Sequence, residues 1–207
     1  MAKWDYWYPQ VLVHVPGAPN PLIAQALRTA ARKFFRRTRA WVEWLDPVRT
    51  SGRATGEYDF DLPTESELHA LEQATQGGRP YPVQSFRQRH SDPAQFGANQ
   101  DLGLLSRDLQ TFMLVGNTPA AEKVQVQVVL IPSATATGIP DYLASRYLEA
   151  LAEGAKSELM LTPDTTFFNP ELAAVANEKF EQAISEASVQ AYRGHTKTIP
   201  RARPKWV

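Results

Sequence analysis

The feature that most constrains this chain is a change of hydrophobic period. Apolar residues recur at helical spacing near both ends and every second residue in the middle. A helix buries a stripe with a period of about 3.6 residues and a strand buries one face with a period of two, so no single segment satisfies both. The first helix is expected over residues 21–39, with Asn20 as N-cap and Pro21 where a missing N–H costs nothing. Its stripe is Ile23, Leu27, Ala30, Ala31 and Phe34. The second is expected over 140–161, with Leu143, Tyr147, Leu151, Ala155 and Leu159. The third is expected over 170–193, capped by Asn169 and stopped by Gly194. Its stripe is Leu172, Ala176, Phe180, Ala183, Ile184, Ala187 and Ala191.

In the middle, Tyr58, Phe60 and Leu62 alternate with acids, and Val124, Val126, Val128 and Leu130 alternate with Gln125, Gln127 and Val129. Both read as strands. Residues 111–115 are a third strand, followed by a turn at Gly116 and Asn117, and 84–89 are a weaker one. Thr64 with Glu67 has the spacing of a capping box, so 65–74 is expected to be a short helix ended by Gly77 and Gly78. Residues 90–101 are polar and read as a loop.

The expected fold is mainly α with a β insertion (α+β). Residues 1–40 and 139–194 would form a three-helix bundle core, 41–138 a β-rich insertion, and 195–207 an extended C-terminal arm. The short link 162–169 would make the second and third helices an antiparallel pair.

Composition excludes several chemistries. The chain has no cysteine, which removes disulfides, thiolate metal sites and cysteine nucleophiles. Its 22 basic and 22 acidic residues cancel, which argues against a surface coated throughout by nucleic acid. The longest aliphatic run, Val128 to Ile131, is far below the roughly 18 residues of a membrane span. With no signal-type N-terminal run, a soluble protein used without secretion and without a membrane partner is expected. No phosphate loop, dinucleotide fingerprint or nucleophile elbow is present. His14, His69, His90 and His195 are scattered, and His90 beside Asp92 is better read as a polar loop than as a base. Asp59 and Asp61 read as the solvated side of a strand. No catalytic residue, metal or cofactor is implied, and the chain is expected not to be an enzyme.

Charge is segregated despite the zero total. Arg28, Lys33 and Arg37 lie in the first helix, and Arg28, Arg32, Arg36 and Arg39 share a face opposite its apolar stripe, with no acid between Asp5 and Glu43. From Asp141 to Glu186 there are nine acids and three bases. The arm reverses the sign again with Lys197, Arg201, Arg203 and Lys205, and ends in Trp206 and Val207. Such segregation suits subunits that set basic surface against a neighbour's acidic surface, and a terminal Trp suits an anchor. Whether the four arginines face a neighbour or DNA is left open by the sequence.

Three stretches resemble the head-to-tail adaptor (connector) proteins of tailed bacteriophages: VPGAPNPLIAQALRTAARKFFRRTRAW, VVLIPSATATGIPDYLASRYLEALAEGAKSELML and FFNPELAAVANEKFEQAISEA. The resemblance covers about residues 11–39 and 124–193 and the order of elements. It implies a structural virion protein at the head–tail interface, made in the host cytoplasm. It implies a homo-oligomeric ring, commonly dodecameric, beneath the portal protein and above a tail or nozzle protein. Double-stranded DNA would pass through the ring without sequence readout. The arm, with Lys197, Arg201, Arg203, Lys205 and Trp206, would dock on the portal. Two alternatives remain: a tail-completion or terminator ring protein, and a helical DNA-binding module.

Overall fold

The computed structural model describes residues 1–50, 55–81, 83, 103–106, 108–115 and 123–193. In chain order the strands are β1 (Ala2–Lys3), β2 (Val42–Trp44), β3 (Val48–Arg49), β4 (Thr55–Asp59), β5 (Ser66–Gln76), β6 (Arg79–Tyr81), β7 (Gly103–Leu105), β8 (Thr111–Val115), β9 (Lys123–Pro132) and β10 (Gly138–Ile139). A 3-10 helix (Trp4–Trp7) leads into α1 (Tyr8–Leu12), followed by α2 (Asn20–Thr38), and after the strands come α3 (Asp141–Arg146), α4 (Leu148–Leu159) and α5 (Pro170–Tyr192).

The expected mainly-α fold with a three-helix bundle core is not what forms. The chain is a mixed α+β fold, about 44% helix and 27% strand, with five α-helices and three antiparallel sheets among the described residues. It divides into two compact units. One comprises Met1–Lys3 and Trp41–Leu143, the other Trp4–Ala40 and the chain from Ala144 onward.

In the strand unit, β9 is the centre of a five-stranded sheet ordered β2-β9-β5-β6, with β3 also on β9. Val124, Val126, Val128 and Leu130 are buried on one face, and Val129 and Ile131 on the other. A strand covered on both sides needs apolar residues at successive positions, which is why the alternation fails after Val128. Strands β4, β8 and β7 form a second sheet, in which Phe112 is buried, stacks on Tyr58 at 5.4 Å and meets Phe60 in a tilted pair at 5.0 Å. Strands β1 and β10 form a third, where a Cβ on Gly138 would lie 2.0 Å from the Ala2 carbonyl oxygen, so only glycine fits.

The predicted short helix at 65–74 is instead most of β5. Leu68, Leu71 and Ala74, spaced by three, stand opposite Leu130, Val128 and Val126, spaced by two. Register shifts between Leu68 and Ala70 and between Leu71 and Gln73 each add one residue to β5. Two bulges therefore turn a strand face into a spacing that imitates a helix. The capping-box acid Glu67 and its neighbour Glu65 have other partners. Glu65, at φ 64°, accepts from the Thr137 N–H and hydroxyl at 3.1 and 2.6 Å, and Glu67 accepts from the Ala134 N–H at 2.9 Å. Gly77 and Gly78 do not end a helix. With φ 53° and 80° they form the two-residue turn between β5 and β6, a conformation that favours glycine at both positions.

The second predicted helix is two helices. Tyr147 leaves helical angles at φ −111° and ψ 23°, separating α3 from α4. Its ring sits 4.8 Å from Phe34 and 6.0 Å from Phe35. The Asn20 cap is also corrected: Asn20 is the first helical residue, Pro19 holds the N-cap position, and no side chain caps α2. Asn169 does cap α5, accepting from the Leu172 N–H at 3.1 Å. Leu172, expected in the α5 stripe, is half exposed, and the buried positions are Ala173, Ala176, Phe180, Ile184 and Ala187. The 84–89 strand, the 90–101 loop, the turn at Gly116, the Gly194 stop and the 195–207 arm lie outside the described residues.

In the helical unit, α2 buries Ile23, Ala26, Leu27, Ala30, Ala31, Phe34, Phe35 and Thr38. Gly154 of α4 lies where a Cβ would approach Phe180 of α5 to 2.8 Å and Ala30 of α2 to 2.9 Å. The three helices meet there because α4 has no side chain. The N-terminal segment, to which the sequence reading gave no element, is part of this core: Trp4, Trp7 and Val11 are buried, and the Trp7 indole N–H donates to the Leu148 carbonyl at 3.1 Å. Their spacing of three and four was the available signal.

Candidate interaction surfaces of the helical unit

The basic residues of α2 divide between two tasks. Lys33 and Arg37 turn towards α5, where both pair with Glu181, Lys33 at 2.9 Å. The Lys33 ammonium also lies 5.3 Å from the centre of the Phe180 ring. On the other side, Thr29 and Arg36 are exposed and Arg32 is half-buried, and these line a shallow groove with the stems of Lys33 and Arg37. Arg28 lies one turn earlier on the same helix and is half-buried. Arg39 does not belong to it. With φ 52° it is the left-handed C-cap of α2, its N–H donating to the Phe35 carbonyl, so its side chain leaves the helical register of the other three.

Charge pairing inside the chain shifts the carboxylates. Hydrogen bonds from Lys33 and then Arg37 hold the Glu181 carboxyl below its ordinary range. Partial burial pushes the Glu158 carboxyl up, and the Lys33 charge draws it part of the way back. A carboxylate with a lowered folded pKa adds stability that is complete above its unfolded pKa and fades as pH falls through the folded one. Glu181 therefore supports the fold at neutral pH and loses that role below about pH 4. Glu158 has the opposite sign, its contribution being lost as pH rises through its raised pKa. Glu181→Gln is expected to flatten part of the acid-side decline in stability. At pH 7 it should change stability by less than about 1 kcal/mol, because both its bases keep solvent contact. Urea denaturation at pH 7 and at pH 3.5 measures this, and an unchanged difference between the two pH values would refute it.

A second surface lies on the other side of α5. A cleft runs between α4 and α5 and is extended by α1, in two adjoining cavities that share Glu149, Ala150 and Ala183. Its floor is small because Ala150, Ala183 and Ala187 carry only methyl groups. Glu149 and Glu186 are exposed at its rim, and Val13, the C-cap of α1, is 74% exposed beside it. Lys156, buried, is held by Glu153 at 2.8 Å, and the Arg146 guanidinium donates to Gln190 at 3.2 Å. Lys179 also reaches the cleft. Ala183 was expected in the core and instead lines this cleft.

Of the remaining candidates His14, exposed, lines the α1 end of this cleft, while His69 is half-buried and Asp59 and Asp61 are exposed elsewhere. His90, Asp92, His195 and the arm residues Lys197, Arg201, Arg203, Lys205 and Trp206 lie outside the described residues. Among the described residues no group of three His, Asp or Glu side chains is placed to hold a metal ion, and no helix is long and apolar enough to cross a membrane. Compared with known proteins, the chain matches no protein-family model and no curated protein.

Proposed function

We propose that this protein is a head-to-tail adaptor of a tailed bacteriophage: a virion protein that forms a ring beneath the portal, extends the DNA channel and presents a docking surface to the tail. The observation that carries this reading is where the three resembling stretches meet. The first lies far from the other two in sequence, yet the helices they supply, α2, α4 and α5, converge on Gly154. The segregated charge of α2 against α4 and α5 supports the same reading, since Lys33 and Arg37 of α2 already pair with Glu181 of α5. The arm, with Trp206 as its anchor, would bind the portal. When extended it reaches about 43 Å at roughly 3.3 Å per residue.

Negative-stain imaging of the concentrated protein should show rings with a central hole, and incubation with portals should place the ring on one end of each portal. Deleting 195–207 should leave the fold intact and abolish portal attachment. Rings absent under every condition, with or without portals, would refute the proposal. A tail-completion ring would form rings that bind tail tubes and not portals. The basic face of Arg28, Arg32 and Arg36 also suits a DNA-binding module. That reading requires tight binding to free duplex with an affinity falling steeply as salt rises, whereas the adaptor monomer should bind duplex weakly.

A further inference from the structure

We infer that the solvent face of α5 is the dock for the chain's own C-terminal arm, which folds back along the helix and sets Trp206 on the apolar corner where α5 begins. The face is a stripe of Glu171, Val175, Glu178, Gln182, Glu186 and Val189, spaced by three and four and exposed throughout. It holds three acids and no base, and among the described residues none of the three forms an ion pair. Lys179 is the one cation beside it, and that side chain lines the cleft instead. At the N-terminal end of the stripe, Leu161, Phe168 and Leu172 are each half exposed. The Asn169 N–H donates to the Met160 carbonyl at 3.0 Å, which closes the α4–α5 link and gathers these residues at one corner. Asp164 is exposed in the same link, and no base occurs between Lys156 and Lys179. An apolar patch rimmed by acid suits an occupant that brings positive charge and an apolar anchor.

The arm, which lies outside the described residues, has that chemistry. It carries Lys197, Arg201, Arg203 and Lys205, no acid, and Trp206 as its largest apolar side chain. The spacings also agree. The eight helical residues from Glu186 back to Glu178 cover about 12 Å, at about 1.5 Å each. The four arm residues from Lys197 to Arg201 cover about 13 Å when extended, at about 3.3 Å each. Glu171 lies about 33 Å back from Arg193, and an extended arm carries Arg203 about 33 Å and Trp206 about 43 Å. With a reversal at Gly194, a residue type that permits one, the cations fall beside the acids and Trp206 falls beyond Glu171, at Phe168 and Leu161. Because the arm is joined to the helix that holds it, its effective concentration is high and weak exposed pairs suffice. A partner that takes the arm must first displace it from α5. The assignment stands apart from the adaptor reading.

The chain has no cysteine, so introduced thiols are the only ones present. In dilute full-length protein, Gln182→Cys with Ile199→Cys should close an intramolecular disulfide on mild oxidation, seen as faster migration of the monomer without reductant. Gln190→Cys with Ile199→Cys is the comparison. Gln190 is nearer to Ile199 in sequence, so an arm without a dock links to it at least as readily. The docked arm should instead link to position 182 at least tenfold faster. Glu171→Gln, Glu178→Gln and Glu186→Gln together should erase that preference while circular dichroism stays unchanged, and salt at about 1 M should erase it with all three acids in place. Equal or faster linkage at position 190, or a preference that survives both treatments, overturns the inference. So does a link that forms between copies in proportion to concentration, since the occupant would then be a second copy's arm. Absence of rings and of portal binding would leave this result standing, and loss of the preference would leave the ring test standing.

Discussion

Gly154→Val is expected to cost more than about 3 kcal/mol, a large share of the roughly 5–15 kcal/mol that holds a typical domain folded. Two effects oppose each other at this position. A glycine inside a helix is worse than alanine by about 1 kcal/mol, so any side chain improves the intrinsic helicity of α4. Against that, even a methyl group would approach the Phe180 ring to 2.8 Å and the Ala30 Cβ to 2.9 Å. Neither neighbour yields easily. Phe180 is 2% exposed and Ala30 3%, and the Ala30 Cβ is fixed to the backbone of α2. Overpacking of this kind costs about 1–3 kcal/mol, so Gly154→Ala should come out destabilising by about 1 kcal/mol. Valine adds two further carbons with nowhere to go. Urea midpoints at constant slope measure both variants. Combining Gly154→Ala with Ala30→Gly should recover part of the loss, because one methyl is removed where another is added. An alanine variant more stable than the parent would show that the helices separate freely and that the crossing is not tight.

Trp7→Ala should cost about 3–5 kcal/mol. Trp7 is fully buried, its ring 5.7 Å from Trp4 and 5.4 Å from Tyr6. It also supplies the N–H that ties the N-terminal segment to Leu148 at the start of α4. Trp7→Phe separates the two contributions, keeping most of the apolar contact and losing the donor. It should cost about 1–2 kcal/mol, the hydrogen bond together with the smaller ring. Denaturation followed by far-UV circular dichroism reads both. If Trp7→Ala changes stability by less than 1 kcal/mol, the N-terminal turn is an accessory rather than part of the core.

The long amphipathic helices were legible in the sequence. The stripe of α2 follows from spacing, as do Ala176, Phe180, Ile184 and Ala187 of α5, and the Asn169 cap does what its position suggests. Strand β9 was legible because one of its faces alternates cleanly. The failures share a cause. At β5 the spacing of Leu68, Leu71 and Ala74 is set by bulges against β9, a partner some sixty residues away, and no local rule encodes a bulge. At Tyr147 the backbone departs from the helix where the ring meets Phe34 and Phe35, which local propensity does not see. These errors made the chain look mainly α. The site was half legible. The basic character of α2 could be read directly, but its division into Lys33 and Arg37 against Arg32 and Arg36 depends on Glu181, which only folding brings near. The cleft could not be read, because an absence of side-chain volume becomes a groove only when two helices pack.

The division into two units has a consequence for synthesis. The helical unit takes its first part from Trp4–Ala40 and the rest from the chain after Ala144, with all of Trp41–Leu143 between. Ile23, Leu27, Phe34 and Phe35 therefore leave the ribosome long before Gly154 and Phe180 exist to cover them. At about 5–20 residues per second, α2 waits on the order of ten seconds with its apolar stripe uncovered. Strands β5 and β9 are complete before that wait ends, so the strand unit can close first and the helical unit last. A nascent chain stalled between β9 and α5 should accordingly recruit chaperones through α2, and release them once α5 has emerged.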